Sequence, residues 1–311
     1  MSSLIEQAAL RLEQLRRAGI TVPEKEGSKP SPEITVGAVP PIVAATPDKS
    51  STRRPVSSGY TSKNVLLDLD SLSAAGVVTP NSPRSFLADQ FRLIKRPLLA
   101  NAKRKDEGAL RHGNLIMVTS SLAGEGKSFT SVNLAMSIAM ELDNTVMLVD
   151  ADVARPSVLK MLGLPPGPGL LDLLEGHTDM QSVLLKTNID KLTILPSGTP
   201  HPKATELLAS AAMTDLLDDM AQRYPDRIII FDSPPLLLTT ESRVLATQMG
   251  QVVMVVQADR TLQSDVQHAL STISSCSHVN LVLNKARGTS ASGYGYGYGY
   301  GYGASSGNPP A

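Results

Sequence analysis

The chain has 311 residues, a formal net charge of zero and a hydrophobic content of 41%, so it can bury a sizeable core. Without a basic excess there is no electrostatic case for nucleic acid as a main partner, and the single cysteine, Cys276, cannot form an internal disulfide. No stretch approaches the roughly 20 apolar residues that cross a bilayer. These features predict a soluble protein of the cytoplasm.

Residues 1–20 predict an amphipathic helix, because apolar side chains recur there at helical spacing. The apolar positions are Leu4, Ile5, Ala8, Ala9, Leu12 and Leu15. Residues 21–61 are rich in Pro, Ser and Gly, which is typical of a flexible linker. The helix could pack on its own domain, but the linker favours docking on a partner or self-association.

Residues 62–289 alternate short β-branched runs with helical patterns. The predicted strands are 115–119, 145–150, 191–195, 227–232, 251–256 and 279–284, and helical patterns cover 127–142, 203–223 and 263–275. Such alternation of almost wholly apolar strands with helices predicts an α/β fold, with a mostly parallel central β-sheet and helices on both faces. Residues 290–311 contain mainly Gly, Ser, Tyr and Pro, and we expect this tail to be disordered.

The strongest chemical signal is the segment LIMVTSSLAGEGKSFTSVNLAMSIA. A buried strand leads into a Gly-containing loop, and Gly126, Lys127 and Ser128 open a helix, as in a P-loop that binds phosphate. Ser121 stands where that pattern has its first Gly. The segment predicts a P-loop NTPase-like nucleotide site, formed by Ala123, Gly124, Glu125, Gly126, Lys127, Ser128 and Phe129, together with Asn284 at the end of the last strand.

Three aspartates follow predicted strands at the edge that carries this loop. Asp150 and Asp152 end VMLVDAD, and Asp232 ends RIIIFD. Each alone could be a helix cap or a solvated turn residue. Together with Ser128 they predict a Mg²⁺ site, since Mg²⁺ prefers carboxylate and phosphate oxygens. A carboxylate that does not bind metal could accept a hydroxyl proton during phosphoryl transfer.

Five tyrosines alternate with glycine in GYGYGYGYGYG, residues 293–303. In a chain that also carries a phosphate-binding motif, this segment predicts exposed tyrosines that accept a phosphoryl group. The alternative is a low-complexity tract that self-associates through its aromatic rings. The candidate acceptors are Tyr294, Tyr296, Tyr298, Tyr300 and Tyr302.

Residues 84–311 resemble the bacterial P-loop tyrosine kinases of exopolysaccharide and capsule biosynthesis. SSLAGEGKS resembles their Walker A motif, VMLVDADVARP their Walker A′ and IIIFDSPP their Walker B, and LPSGTPHPKATELLAS resembles a further family segment. The N-terminal helix, the linker and FRLIKRPLL are similar to the soluble autokinases of exosortase-type systems. The order of these segments is far more specific than any one of them.

The resemblance implies an ATP-dependent tyrosine autokinase that phosphorylates its own tail. Lys127 and Ser128 would bind phosphates and Mg²⁺, the three aspartates would serve Mg²⁺ and substrate activation, and Asp150 is the expected general base. It also implies a ring-shaped homo-oligomer, with an octamer as one candidate size, in which one subunit phosphorylates its neighbour. The expected interface residues are Asp89, Arg92, Lys95 and Arg96, although Asp and Lys replace the Glu and one Arg of the family's pattern.

As partners, the resemblance implies a membrane-embedded polysaccharide chain-length protein that activates the kinase and a cognate tyrosine phosphatase. The kinase would then be cytoplasmic and held at the inner membrane by its partner. Two other functions fit parts of the sequence. A positioning ATPase of the ParA or MinD kind shares the fold, but Leu122 stands where it would carry a signature Lys. A scaffold that binds nucleotide without turnover would not need Lys127 and the aspartates.

Overall fold

The computed structural model describes residues 62–81, 84–223 and 226–286. The predicted N-terminal helix, the linker, the tail and all seven tyrosines lie outside these residues. The strands are β1 Lys63–Val65, β2 Leu115–Ser120, β3 Thr145–Asp150, β4 Leu185–Thr187, β5 Leu192–Leu195, β6 Arg227–Asp232, β7 Gln251–Gln257 and β8 Val279–Asn284. The helices are α1 Leu69–Ala74, α2 Phe86–Lys103, α3 Lys127–Ala139, α4 Val158–Met161, α5 Leu170–Leu174, α6 Met180–Val183, α7 Ala204–Leu208, α8 Ala211–Arg223, α9 Glu241–Gln248 and α10 Gln263–Thr272.

Within the described residues, the strands form one sheet in the order β1-β4-β5-β3-β6-β2-β7-β8. Its neighbouring strands are parallel except for β4 and β5, which confirms the mostly parallel sheet. The six predicted strands all exist, with ends within two residues of those expected. The strands β1 and β4 were not predicted, because three residues are too few to show a strand's periodicity.

Side chains at alternate strand positions contribute to two apolar cores, one on each face of the sheet. In β2, Ile116 and Val118 belong to the core beneath α2 and α3, whereas Leu115 and Met117 belong to the core beneath α8 and α10. Both sets are fully buried because the sheet is covered on both sides. The predicted layers are therefore confirmed.

The prediction of one continuous helix over 203–223 is wrong. The helical segment is interrupted at Ala209 and Ser210, which separate α7 from α8. The Ser210 hydroxyl donates to the Leu207 carbonyl at 2.7 Å and accepts from the Met213 amide at 3.3 Å. Serine thus replaces backbone partners at the end of one helix and the start of the next.

No helix in the described part of the chain is both long and apolar enough to cross a membrane.

Candidate active site

The phosphate loop joins β2 to α3 and depends on two glycines with positive φ. Gly124 has φ +84° and Gly126 has φ +101°, conformations that side chains rarely adopt. A Cβ at Gly126 would also lie 2.1 Å from Nδ2 of Asn284. The predicted strand, loop and helix are confirmed, and Ser121, at the position of the usual first glycine, is fully buried.

Contacts from the ends of β7 and β8 hold this loop in place. Asn284 Nδ2 donates to the Glu125 carbonyl at 2.9 Å, and Lys285 Nζ donates to the Gly124 carbonyl at 2.6 Å. The buried Glu125 carboxylate accepts from the Leu122 amide at 2.7 Å and from the Thr261 hydroxyl. The side chains of Glu125 and Asn284, both expected to bind ATP, therefore stabilise the loop from within.

The outer part of the loop is open. Ala123 and Gly124 are exposed, whereas Phe129 is half-buried and packs against the core beneath α2 and α3. Ala123 and Gly124 are thus placed where a ligand could reach the loop backbone. Phe129 was predicted to contact the nucleotide, and the structure shows in addition that its side chain packs against this core.

Lys127, the first residue of α3, is held by a carboxylate from the neighbouring strand end. Its Nζ lies 2.7 Å from Asp152 Oδ2 and 3.3 Å from Ser128 Oγ. The side chains of Lys127 and Asp152 are only 11% and 6% exposed. A bound phosphate would have to share the ammonium group with this carboxylate or displace it.

Asp150 ends β3 and uses only one of its two carboxylate oxygens. The amides of Ser157 and Val158 donate to Oδ2 at 3.0 Å each, while the buried Oδ1 has no hydrogen-bond partner. Burial, and then the charge of Asp232, raise the pKa of Asp150 from 3.8 to about 7. The structure thus places a carboxylate with a free acceptor oxygen at the strand end.

Asp232 ends β6, next to β3, and is paired with Asp150 in the register of the two strands. Ser131 Oγ donates to its Oδ1 at 3.0 Å, and its buried Oδ2 has no partner. Burial raises the pKa of Asp232, and the charge of Lys127 opposes that rise. Two unpaired carboxylate oxygens therefore lie at adjacent strand ends.

Asp232 Oδ2 and the Ser128 hydroxyl are oxygen ligands of the kind that Mg²⁺ prefers, with phosphate oxygens and waters to complete its shell, and Asp150 Oδ1 is a further oxygen available to metal or substrate. No cluster of three or more His, Cys, Asp or Glu able to hold a metal occurs among residues 62–81, 84–223 and 226–286. The three predicted aspartates therefore have different partners in the structure, since Asp152 is paired with Lys127. Only Asp150 and Asp232 keep a free oxygen for metal or substrate.

Four contributing residues were not predicted, namely Ser131, Ser157, Thr261 and Lys285. Ser157 Oγ donates to Ser128 Oγ at 2.8 Å and also places its amide on Asp150. Ser131 lies one helical turn after Lys127, and this spacing could have suggested its contact with a strand end. Nothing local in the sequence marks Thr261 or Lys285, which reach the loop from another part of the chain.

The four residues predicted at an oligomer interface do not share one environment. Asp89 and Arg92 form an exposed ion pair, and Arg96 is exposed. Lys95 is buried, and its Nζ lies 2.6 Å from both the Ser137 carbonyl and Glu141 Oε1. Lys95 thus joins α2 to α3 inside one subunit, which corrects its expected place at the surface of α2.

The sequence did contain a signal for this burial. Ala88, Phe91, Lys95 and Leu98 recur at helical spacing and form the buried face of α2. The hydrogen bond from Lys95 lowers the pKa of Glu141 below its usual value. An interface role remains a prediction for Asp89, Arg92 and Arg96.

Replacing Lys95 with methionine is expected to lower the free energy of unfolding by about 2 kcal/mol, because charge-assisted hydrogen bonds in a buried setting are lost. Arg92→Met is the matched control on the same helix. Its ion pair is solvent-exposed, so the change should stay within about 0.5 kcal/mol. Urea unfolding of both variants measures the difference, and equal stability losses would contradict the internal role of Lys95.

The mostly parallel sheet, the loop before α3 and the paired carboxylates at adjacent strand ends define a P-loop NTPase-like protein. The AAA domain family matches residues 113–285, which is more than half of the chain. Among curated relatives, the tyrosine-protein kinase CpsD of Streptococcus agalactiae is 31% identical over 56% of this chain and 76% of its own length. The tyrosine-protein kinase YwqD of Bacillus subtilis is 29% identical over 64% of this chain and 81% of its own length. The chain belongs to the bacterial tyrosine-protein kinases.

Coverage differs among the relatives. The chain spans only 22% of the putative tyrosine-protein kinase EpsB of Ralstonia nicotianae, with 33% identity over 54% of this chain. Among solved structures, the VpsO kinase domain has 28% identity and a TM-score of 0.55, and covers 64% of this chain and 95% of its own. The chimerical protein CapA2B2 has 26% identity and a TM-score of 0.54, and covers 68% of this chain and 97% of its own.

Proposed function

We propose that this protein transfers the γ-phosphoryl group of ATP to tyrosines of its own C-terminal tail. The observation that carries the proposal is a phosphate loop whose Lys127 is paired with Asp152, next to two other strand-end carboxylates, Asp150 and Asp232, that each keep a buried oxygen without a partner. This arrangement supports phosphoryl transfer, which requires charge neutralisation and positioning more than covalent chemistry. Membership of a kinase family supports the choice of tyrosine as acceptor.

Each residue has a defined task in this proposal. The loop amides and Lys127 bind the phosphates, so Lys127 exchanges the Asp152 carboxylate for phosphate oxygens. Ser128 and Asp232 would hold Mg²⁺, which supplies positive charge against the phosphates when bound. Asp150 Oδ1 accepts the proton of the attacking phenol.

We further propose that the tail of one subunit is phosphorylated by its neighbour in a ring. The five candidate tyrosines start only about ten residues after β8, and β8 ends beside the phosphate loop at Asn284. Ten residues span at most ~35 Å, a length compatible with phosphorylation in the subunit's own site or in that of an adjacent subunit. Regulation of exopolysaccharide synthesis, a membrane-embedded activator that holds the kinase at the inner membrane and a cognate phosphatase complete the proposal, by analogy with the family.

Mapping phosphate by mass spectrometry after incubation with ATP and Mg²⁺ tests this function. Phosphate is expected on the five tail tyrosines, while Tyr60 and Tyr224 serve as internal controls in the same chain. Changing the five tail tyrosines to phenylalanine should remove most of the label. Hydrolysis of ATP without any phosphotyrosine would reject the kinase and support a positioning ATPase.

A further inference from the structure

Lys285 directly follows β8, and its exposed side chain lies on the phosphate loop. Its Nζ donates to the Gly124 carbonyl at 2.6 Å and to Oε1 of Gln257, at the end of β7, at 3.3 Å. We propose that Lys285 is a positioning residue, which fixes the direction of the loop amides that bind phosphate and so couples nucleotide affinity to the chain segment leading into the tail. The inference rests on the phosphate-binding part of the function proposed above.

The direction of two loop amides follows from what their own peptide groups contact. These peptide groups are trans, and in a trans group the C=O and the N–H point in opposite directions. Lys285 holds the Gly124 carbonyl, so the Glu125 amide, which belongs to the same peptide group, points away from the ammonium group. Asn284 Nδ2 holds the Glu125 carbonyl at 2.9 Å and directs the Gly126 amide in the same way. Successive amides with fixed directions are what a loop before a helix uses to bind phosphate oxygens.

Gly124 is the point of the loop that most needs such a contact. It is exposed, its φ is +84°, and a Cβ built on it would meet no atom within 4 Å. Glycine adopts many backbone conformations, so the peptide group after Gly124 would rotate freely without a partner for its carbonyl. The inner side of the loop is held separately, because the Glu125 carboxylate accepts from the Leu122 amide and from Thr261. Loss of the Lys285 contact should therefore free one peptide group and leave the path of the loop intact.

The backbone of Lys285 adopts a conformation that lysine rarely takes. Its φ is +57°, in the left-handed region. Such a conformation costs free energy and persists only where surrounding contacts favour it. The ends of β7 and β8 are already joined by the bond from the Ala258 amide to the Asn284 carbonyl at 2.9 Å, so the sheet does not require it. The contacts that favour it are those of the ammonium group with Gly124 and Gln257.

Nucleotide binding and the Lys285 contact must strengthen each other by the same factor, because a coupling free energy between two sites is reciprocal. A contact that raises phosphate affinity is itself stabilised when phosphate is bound. The candidate acceptor Tyr294 lies nine residues after Lys285. The start of the segment that carries the acceptors is thus held on the loop more firmly when nucleotide occupies the site.

The variant Lys285→Met, in the full-length protein, keeps an unbranched side chain but removes the donor. Its affinity for a fluorescent ADP analogue with Mg²⁺ should fall about tenfold, the effect of one lost charge-assisted hydrogen bond. KM for ATP in tail phosphorylation should rise by the same factor, while kcat changes by less than about threefold. Lys285→Arg keeps a charged donor and should recover most of the affinity. Unchanged affinity in Lys285→Met, or an equal loss in both variants, would overturn the proposal.

Lys191 provides a matched control at the opposite edge of the sheet, where it precedes β5. It is exposed, its φ is +73°, and its Nζ donates to the carbonyls of Glu141 and Leu142 at 2.8 Å each. Lys191→Met should lower the urea midpoint of unfolding without changing nucleotide affinity. Lys285→Met should lower the affinity with little effect on the midpoint measured without nucleotide. Loss of affinity in both variants would indicate a general structural effect and overturn the proposal.

Two further measurements distinguish positioning from a direct contact between Lys285 and the nucleotide. Inorganic tripolyphosphate with Mg²⁺ has no base or sugar, so its affinity, measured by competition, should show the same loss in Lys285→Met. The loss should also be equal at about 50 mM and about 500 mM KCl, because salt screens attraction between exposed charges far more than a fixed hydrogen bond. Unaffected tripolyphosphate binding, or a loss that disappears at high salt, would overturn the proposal.

The affinity measurements do not depend on phosphoryl transfer. Nucleotide affinity that depends on Lys285, in a protein whose tail receives no phosphate, would support the positioning role and refute the kinase. A phosphorylated tail together with nucleotide affinity that is independent of Lys285 would refute the positioning role and leave the kinase in place.

Discussion

Replacing Lys127 with methionine is expected to abolish tail phosphorylation and, in the same protein, to lower the free energy of unfolding. Loss of a charged donor to the transferred phosphoryl group should slow the reaction by about 10³-fold or more. The stability loss has a different origin. Lys127 and Asp152 form a largely buried pair, and methionine leaves the carboxylate without its cation, a change that costs about 3 kcal/mol.

The variant Asp152→Asn and the double variant Lys127→Met/Asp152→Asn separate these two effects. Removing both charges of a buried pair is close to neutral, so the double variant should recover most of the lost stability. It should not recover phosphorylation, since the phosphate-binding cation is still absent. Phosphotyrosine yield and urea unfolding are measured on the same preparations. A double variant no more stable than Lys127→Met would show that the pair with Asp152 is not the cause.

Replacing Asp150 with asparagine is expected to slow phosphorylation by about 10²- to 10⁴-fold, the usual contribution of a general base. Without Mg²⁺ or nucleotide, the same change should stabilise the protein at pH 8. The folded-state pKa of Asp150 is raised from 3.8 to about 7 by burial and by Asp232. Between pH 4 and pH 7 the folded protein thus keeps a proton that the unfolded chain has lost, and stability falls as the pH rises through this window.

Above pH 7 the folded protein bears the full free-energy cost of keeping the buried Asp150 carboxylate ionised. At about 1.4 kcal/mol per pKa unit, this loss of stability is at most about 4 kcal/mol. Asparagine keeps an oxygen for the amides of Ser157 and Val158 but carries no charge. Its stabilising effect should therefore be largest at pH 8 and vanish near pH 4. Urea unfolding in EDTA across this range is the measurement, and Asp259→Asn, at an exposed position after β7, is the control. An effect of Asp150→Asn that does not change with pH would contradict the raised pKa.

The phosphate site was predictable because its signals are local. A buried strand, a loop with Gly126 and a helix that begins with Lys127 follow each other without interruption. The apolar pattern of the strand and that of the helix therefore fix where the loop between them begins and ends. The ends of β3, β6 and β8 were also located correctly from short apolar runs. The break between α7 and α8 was missed, because one serine that replaces backbone partners leaves the apolar spacing of a helix unchanged.

The roles of individual site residues were harder to predict from the sequence. Glu125 lies in the middle of the phosphate loop, yet its side chain turns inward because Thr261 and the Leu122 amide offer it partners. Lys95 fits a charged surface pattern, yet α2 packs with that face against α3 and buries it. Both outcomes depend on contacts between segments that are distant in the chain.

By itself, the sequence determined that this protein has a mostly parallel α/β fold with a phosphate loop and three aspartates at strand ends. These features follow from periodicity and motif spacing, which act within about thirty residues. Only the tertiary structure decided that Asp152 is paired with Lys127 and that Asp150 and Asp232 each keep an unpaired oxygen. The physical reason is that a carboxylate's role depends on which donors and charges surround it, and the packing of strands from distant parts of the chain sets those neighbours.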